Sequence, residues 1–106
     1  MIGLLFLLKR EKIMKVVIIA SLSQMNDIYK IVNICQKLGI EVHYPRKQPD
    51  KEFSKIVEEY FEKISKADLI LAIEKEDGSF GNSCTYELTF AKYLNKPIQI
   101  LRKEEL

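Results

Sequence analysis

The sequence has no tryptophan, one histidine, two cysteines, three prolines and four glycines in 106 residues. Each scarcity removes a class of protein. Cys35 and Cys84 stand far apart without C-x-x-C spacing and His43 is the single histidine, so a Cys/His zinc site and a disulfide-stapled secreted scaffold are both unsupported, and a reducing cytoplasm fits best. Glycine and proline are too sparse for a collagen-like or low-complexity chain. An excess of one charge is also missing: 17 Lys+Arg stand against 15 Asp+Glu, a net +2, well short of the basic face that duplex nucleic acid requires. No run is long enough to span a bilayer either. The longest, Ile2 to Leu8, is far shorter than the ~20 residues of a membrane helix. Its positive charges, Lys9, Arg10 and Lys12, follow the apolar stretch, the reverse of a signal peptide. Neither nucleic acid nor a membrane is an expected partner. Met14 directly precedes the first strand pattern, which predicts that the natural chain begins there and that residues 1–13 are an extension from an upstream start. The other reading of that segment is an apolar arm pairing with a sheet edge or a second subunit.

What is present is an ordinary globular mix, 47% hydrophobic and 30% charged, enough for one domain over residues 14–106. From Lys15 onward two hydrophobic periods alternate, the pattern of a parallel sheet covered by helices. Val16 to Ala20 is a β-branched apolar run suited to a strand buried on both faces. Ile28, Ile31, Val32, Cys35 and Leu38 recur at helical spacing and end at Gly39, where a helix C-terminus favours positive φ. Ile40 to His43 reads as a second strand, stopped by Pro45. Asp50 is placed to cap a helix whose apolar stripe is Phe53, Ile56, Val57, Tyr60, Phe61 and Ile64. Leu69 to Ile73 is the third strand, Glu74 to Asn82 a long polar loop, Ser83 to Asn95 a third helix, and Ile98 to Leu101 a fourth strand beyond Pro97. The charged tail from Arg102 is expected to fray. The fold class is a three-layer α/β/α sandwich with a parallel four-stranded sheet, flavodoxin- or Rossmann-like, in the order 2-1-3-4, with the site at the strand C-termini.

Chemistry concentrates after the third strand. Gly81, Asn82, Ser83 and Cys84 form a helix entrance whose backbone N–H groups suit an anion; a plain turn with an N-cap is the other reading. Glu87 lies one turn further, beside the face that should cover the sheet. A carboxylate there is costly unless it faces a cleft or finds a partner such as Lys63 or Lys92. Cys84 reads as a small buried residue, since no histidine is near it in sequence. Asp68 precedes its strand and reads as a structural cap. His43 and Arg46, at the exit of the second strand, are either solvated or able to touch a base or phosphate.

Two stretches carry a family resemblance: Ala67-Asp68-Leu69-Ile70-Leu71-Ala72, and Gly81-Asn82-Ser83-Cys84-Thr85-Tyr86-Glu87-Leu88 with Ala91 and Asn95-Lys96-Pro97-Ile98. Together with Val16 to Ser23, Gly39 to Val42 and Pro45, they resemble the nucleoside 2-deoxyribosyltransferase-like family, whose relatives include deoxynucleoside monophosphate N-hydrolases. The resemblance runs from Lys15 to Leu101. It implies Glu87 as the nucleophile at the sugar's anomeric carbon and Ser21, Gly81, Asn82 and Ser83 as substrate-binding residues. It implies neither metal nor cofactor. Two departures stand out: Tyr60 occupies the place of an aspartate in well-characterised members, and Gly81 that of an aspartate or a phosphate-binding serine. Glu59, Glu74 and Asp77 are the nearby acids that would have to compensate.

The resulting expectation is an enzyme of the nucleoside or nucleotide N-glycosidic bond, a deoxyribosyltransferase or N-hydrolase. The alternatives are a non-catalytic nucleotide-binding or sensor domain on the same scaffold and a protein-interaction module. Tyr86, Phe90 and Tyr93 recur at i, i+4, i+7 on the last helix, offset from Cys84, Leu88 and Ala91, which predicts a homodimer; the other reading is packing against the neighbouring helix.

Overall fold

The computed structural model describes residues 13–106; the extension proposed for residues 1–13 therefore lies, but for Ile13, outside the described residues. The element order is β1 (Lys15–Ile19), a 3-10 turn (Leu22–Gln24), α1 (Met25–Lys37), β2 (Glu41–His43), α2 (Phe53–Lys66), β3 (Leu69–Ile73), α3 (Asn82–Tyr93), β4 (Ile98–Leu101) and a closing 3-10 turn (Lys103–Glu105). The four strands form one parallel sheet in the order β2-β1-β3-β4.

Alternation along the strands divides the core into two layers, because successive side chains leave a strand on opposite faces. Val17, Ile19, Ile70 and Ala72 meet Tyr60 and Ile64 of α2 and Cys84, Leu88 and Ala91 of α3. Ile18, Ala20 and Ile73 meet Ile28, Ile31, Val32 and Cys35 of α1. Thus α1 covers one face while α2 and α3 cover the other. The chain leaves β1 toward one layer and β3 toward the opposite layer, although the two strands are neighbours with Val16 beside Leu69 and Ile19 beside Ala72. The crevice where adjacent strands part in this way is the usual ligand position of an open parallel sheet.

Local differences from the sequence reading have plain causes. Leu38 is 51% exposed, because α1 ends at Lys37 and Leu38 is already its C-cap. Gly39 follows with φ +71°, as a helix terminator needs. The N-cap of α2 is Glu52 without a side-chain bond, so Asp50 does not cap this helix. Asp68 does act structurally, its Oδ2 accepting from the Lys15 N–H at 2.8 Å, at the sheet end opposite the crevice. The tail is not frayed. Leu106 packs against the α1 layer, and Arg102 N–H donates to Glu105 Oε1 at 3.1 Å.

Candidate active site

A cleft of ≈ 470 Å³ opens at the C-terminal ends of the strands, a size suited to a small organic ligand. Three segments wall it. The turn after β1 supplies Ala20, Ser21 and Leu22; the β2–α2 connection and the first half of α2 supply Pro45 to Gln48, Phe53, Ile56, Val57 and Tyr60; the start of α3 supplies Gly81 to Cys84 and Glu87. All five residues assigned to the site from sequence (Glu87, Ser21, Gly81, Asn82 and Ser83) come together here. The α2 wall was not anticipated as part of it.

The β1 wall is held by Gln24. Its Oε1 accepts from the Ser21 N–H at 2.9 Å, while its Nε2 donates to the Glu74 carbonyl at 2.9 Å. One side chain thereby fastens the turn after β1 to the end of β3. The Ser21 hydroxyl is part of the same turn, 3.0 Å from Ser23 Oγ and accepting from the Ser23 N–H at 3.4 Å.

On the α3 wall, Gly81 is the N-cap and contributes no side-chain hydrogen bond. The leading N–H groups of a helix lack intrahelical partners and carry the positive end of its dipole. Gly81 has ordinary negative φ (−66°), and a Cβ built there would meet only Lys75 Nζ, at 3.7 Å. The backbone does not require glycine, and an ammonium group lies beside the helix start. Arg46 and Lys47 add positive charge on the opposite rim. Arg46 rests its guanidinium 5.2 Å from the centre of the Tyr44 ring.

Glu87 is half-buried in the lining. No lysine, arginine or histidine among the described residues lies within ion-pair distance of it, so neither Lys63 nor Lys92 is its partner. Burial pushes its carboxyl up from 4.5 to about 7, because removal from water penalises the charged form. Beneath it Tyr60 is buried and donates its hydroxyl to the Ile18 carbonyl. Burial, then the charge of Glu87, hold that phenol protonated well above its ordinary range. Cys84 is a buried free thiol raised to about 11, chiefly by burial and then by Glu87. It is not a thiolate at neutral pH.

The remaining sequence candidates lie off the lining. His43 packs against the Tyr60 ring at 4.8 Å between centroids, and burial lowers its imidazole. Glu59 is paired with Lys51 at 3.2 Å, Glu74 with Arg102 at 3.5 Å, and Asp77 Oδ1 accepts from Ser79 N and Oγ at 3.0 and 2.6 Å. The three acids that would have had to compensate for Tyr60 are thus engaged elsewhere. Among the described residues no group of three His, Cys, Asp or Glu is placed to hold a metal.

No protein-family model matches the chain and no curated protein matches it in sequence. Solved structures do match. The CMP N-glycosidase BcmB of Clostridium botulinum is similar at TM-score 0.58 and 19% identity, over 83% of this chain and 71% of that one. The 2-desoxiribosyltransferase from Leishmania mexicana is similar at TM-score 0.69 and 14% identity, over 84% of this chain and 64% of that one. At such identities the likeness is one of fold: the chain shares the α/β fold of a CMP N-glycosidase and a 2-desoxiribosyltransferase, with its four parallel strands in the order 2-1-3-4 that the hydrophobic pattern predicts.

Proposed function

We propose that the cleft binds a nucleoside or nucleotide and that Glu87 attacks the anomeric carbon of its sugar, breaking the N-glycosidic bond by hydrolysis or by transfer to a second base. The observation that carries this reading is Glu87 itself: a half-buried carboxyl without an ion-pair partner among the described residues, lining a ligand-sized cleft. Such a group is a net cost to the fold, which a structural role does not explain. The fold shared with a CMP N-glycosidase and a 2-desoxiribosyltransferase supports the same chemistry. Cleavage passes through an oxocarbenium-like state that a carboxylate stabilises or traps as a glycosyl ester, before water or a new base attacks. The uncapped start of α3, with Ser83, Asn82 and nearby Lys75, is suited to a phosphate or sugar hydroxyl. With two free cysteines the protein is suited to a reducing cytoplasm.

Glu87→Gln tests the reading, because it keeps the shape and removes the nucleophile. Base release is expected to fall by at least about 100-fold while ligand affinity stays within about 1 kcal/mol. Nucleotide binding with no turnover in either form would instead identify a nucleotide sensor, the reading favoured by Tyr60 in place of a second acid. Unchanged binding and turnover in the variant would end the functional reading of Glu87.

A further inference from the structure

Resting on that reading, the lining of the cleft bears on which base can leave. A neutral nucleobase departs as an anion unless an acid delivers a proton to it as the bond breaks. Among the described residues Glu87 is the single carboxyl in the lining. It cannot both attack the sugar and protonate the base in one step. The other buried proton-bearing groups of the lining are Tyr60 and Cys84. The Tyr60 O–H already donates to the Ile18 carbonyl, and the Cys84 thiol is held protonated by its burial. Glu59, Glu74 and Asp77 are occupied outside the cleft, as described above. Arg46 and Lys47 are exposed on the rim, where they suit a phosphate.

We infer that the substrate is a cationic N-glycoside, a pyridinium or N7-alkylpurine nucleoside or nucleotide, because the described lining of the cleft holds one carboxyl group, Glu87, and no second one to protonate a departing base. The bookkeeping of the reaction then closes without a donor. The carbon–nitrogen bond breaks, its electron pair neutralises the cationic ring, and the base leaves neutral. A Glu87 oxygen forms a bond to the anomeric carbon. Water then attacks that carbon, the ester bond breaks with its electrons returning to Glu87, and the proton of the water passes to solvent. The α2 side of the cleft, Phe53, Ile56 and Val57, is apolar, which suits a flat ring that needs no hydrogen-bonded proton relay.

The test compares GMP with N7-methyl-GMP, each also as the 2′-deoxynucleotide, at mildly acidic pH where the methylated base is cationic, and adds nicotinamide mononucleotide, whose ring charge does not titrate, as the pyridinium probe. Base release is followed from pH 5 to 9 and corrected for the spontaneous rate. For at least one cationic probe kcat/KM is expected to exceed that of its neutral counterpart, or of CMP for the pyridinium, by about 100-fold or more, the scale of a missing general acid. With nicotinamide mononucleotide the rate should rise with pH as Glu87 ionises and then level off. Neutral nucleotides cleaved within about 10-fold of the cationic ones, or at a rate that falls as pH rises through Glu87's titration, would show that an acid is supplied and overturn this inference while leaving the glycosidic reading intact. No base released from any probe by the wild-type protein would overturn both.

Discussion

At the residue scale, burial shifts two groups of the cleft lining toward their protonated forms, Glu87 to about 7 and Tyr60 well above the ordinary phenol range. Glu87 binds its proton more tightly in the folded chain, at about 7 against 4.5. Its contribution to stability is therefore fully present below about pH 4.5 and is lost as pH rises through about 7. Glu87→Gln, which never ionises, should be more stable than the wild type at pH 8, by on the order of 2 kcal/mol, with the advantage vanishing near pH 4. Urea unfolding at several pH values checks both the sign and the window. Tyr60→Phe removes a buried hydrogen bond and strands the Ile18 carbonyl, so a loss of about 1–3 kcal/mol is expected in the same measurement. The position of Glu87 on the cleft was legible in the sequence because an acid beside an apolar helix face needs either a cleft or a partner. The role of Tyr60 was not, because a tyrosine in an apolar stripe looks the same whether its hydroxyl meets a carbonyl, a ligand or water.

At the scale of elements, α2 shows how one apolar stripe can serve both the core and the cleft. Its stripe runs from Phe53, 73% exposed, through half-buried Ile56 and Val57 to buried Tyr60 and fully buried Ile64. The same i, i+3, i+4 spacing thus covers the sheet at one end and overhangs an open cleft at the other, and periodicity carries no information about what lies opposite. The strands were easier to read, since β1 and β3 are buried on both faces and leave continuous β-branched or aliphatic runs. Helix starts were harder: Asp50 has the right chemistry for a cap, but the chain turns first and the helix begins after Glu52. The burial gradient predicts a separation of effects. Ile64→Ala should cost about 2–5 kcal/mol of stability, whereas Phe53→Ala should leave the melting temperature nearly unchanged and weaken only ligand binding. Thermal unfolding and ligand titration of the two variants distinguish them.

At the scale of the whole molecule, the aromatic stripe of α3 is split. Phe90 stacks on Phe61 of α2 with centroids 4.7 Å apart, so one third of the stripe expected at a dimer interface is satisfied within the chain. Tyr86 and Tyr93 remain 71% and 81% exposed. A homodimer through these two tyrosines is still the expected assembly, and Tyr86→Ser with Tyr93→Ser should yield a monomer of unchanged melting temperature by sedimentation. A wild-type monomer at high micromolar concentration would exclude it. The Gln24 clamp has a consequence for motion. It ties the β1 wall to β3, whereas the facing segment from Pro45 to Lys51 has, among the described residues, one backbone bond, Lys51 N–H to the Gln48 carbonyl, and the Lys51–Glu59 ion pair at its far end. The two walls of the cleft are thus fastened unequally, and ligand capture is expected to be a one-sided closure. In hydrogen exchange the Ser21 amide should be slow with or without ligand, while the amides of Arg46, Lys47, Gln48 and Asp50 slow only when the cleft is filled.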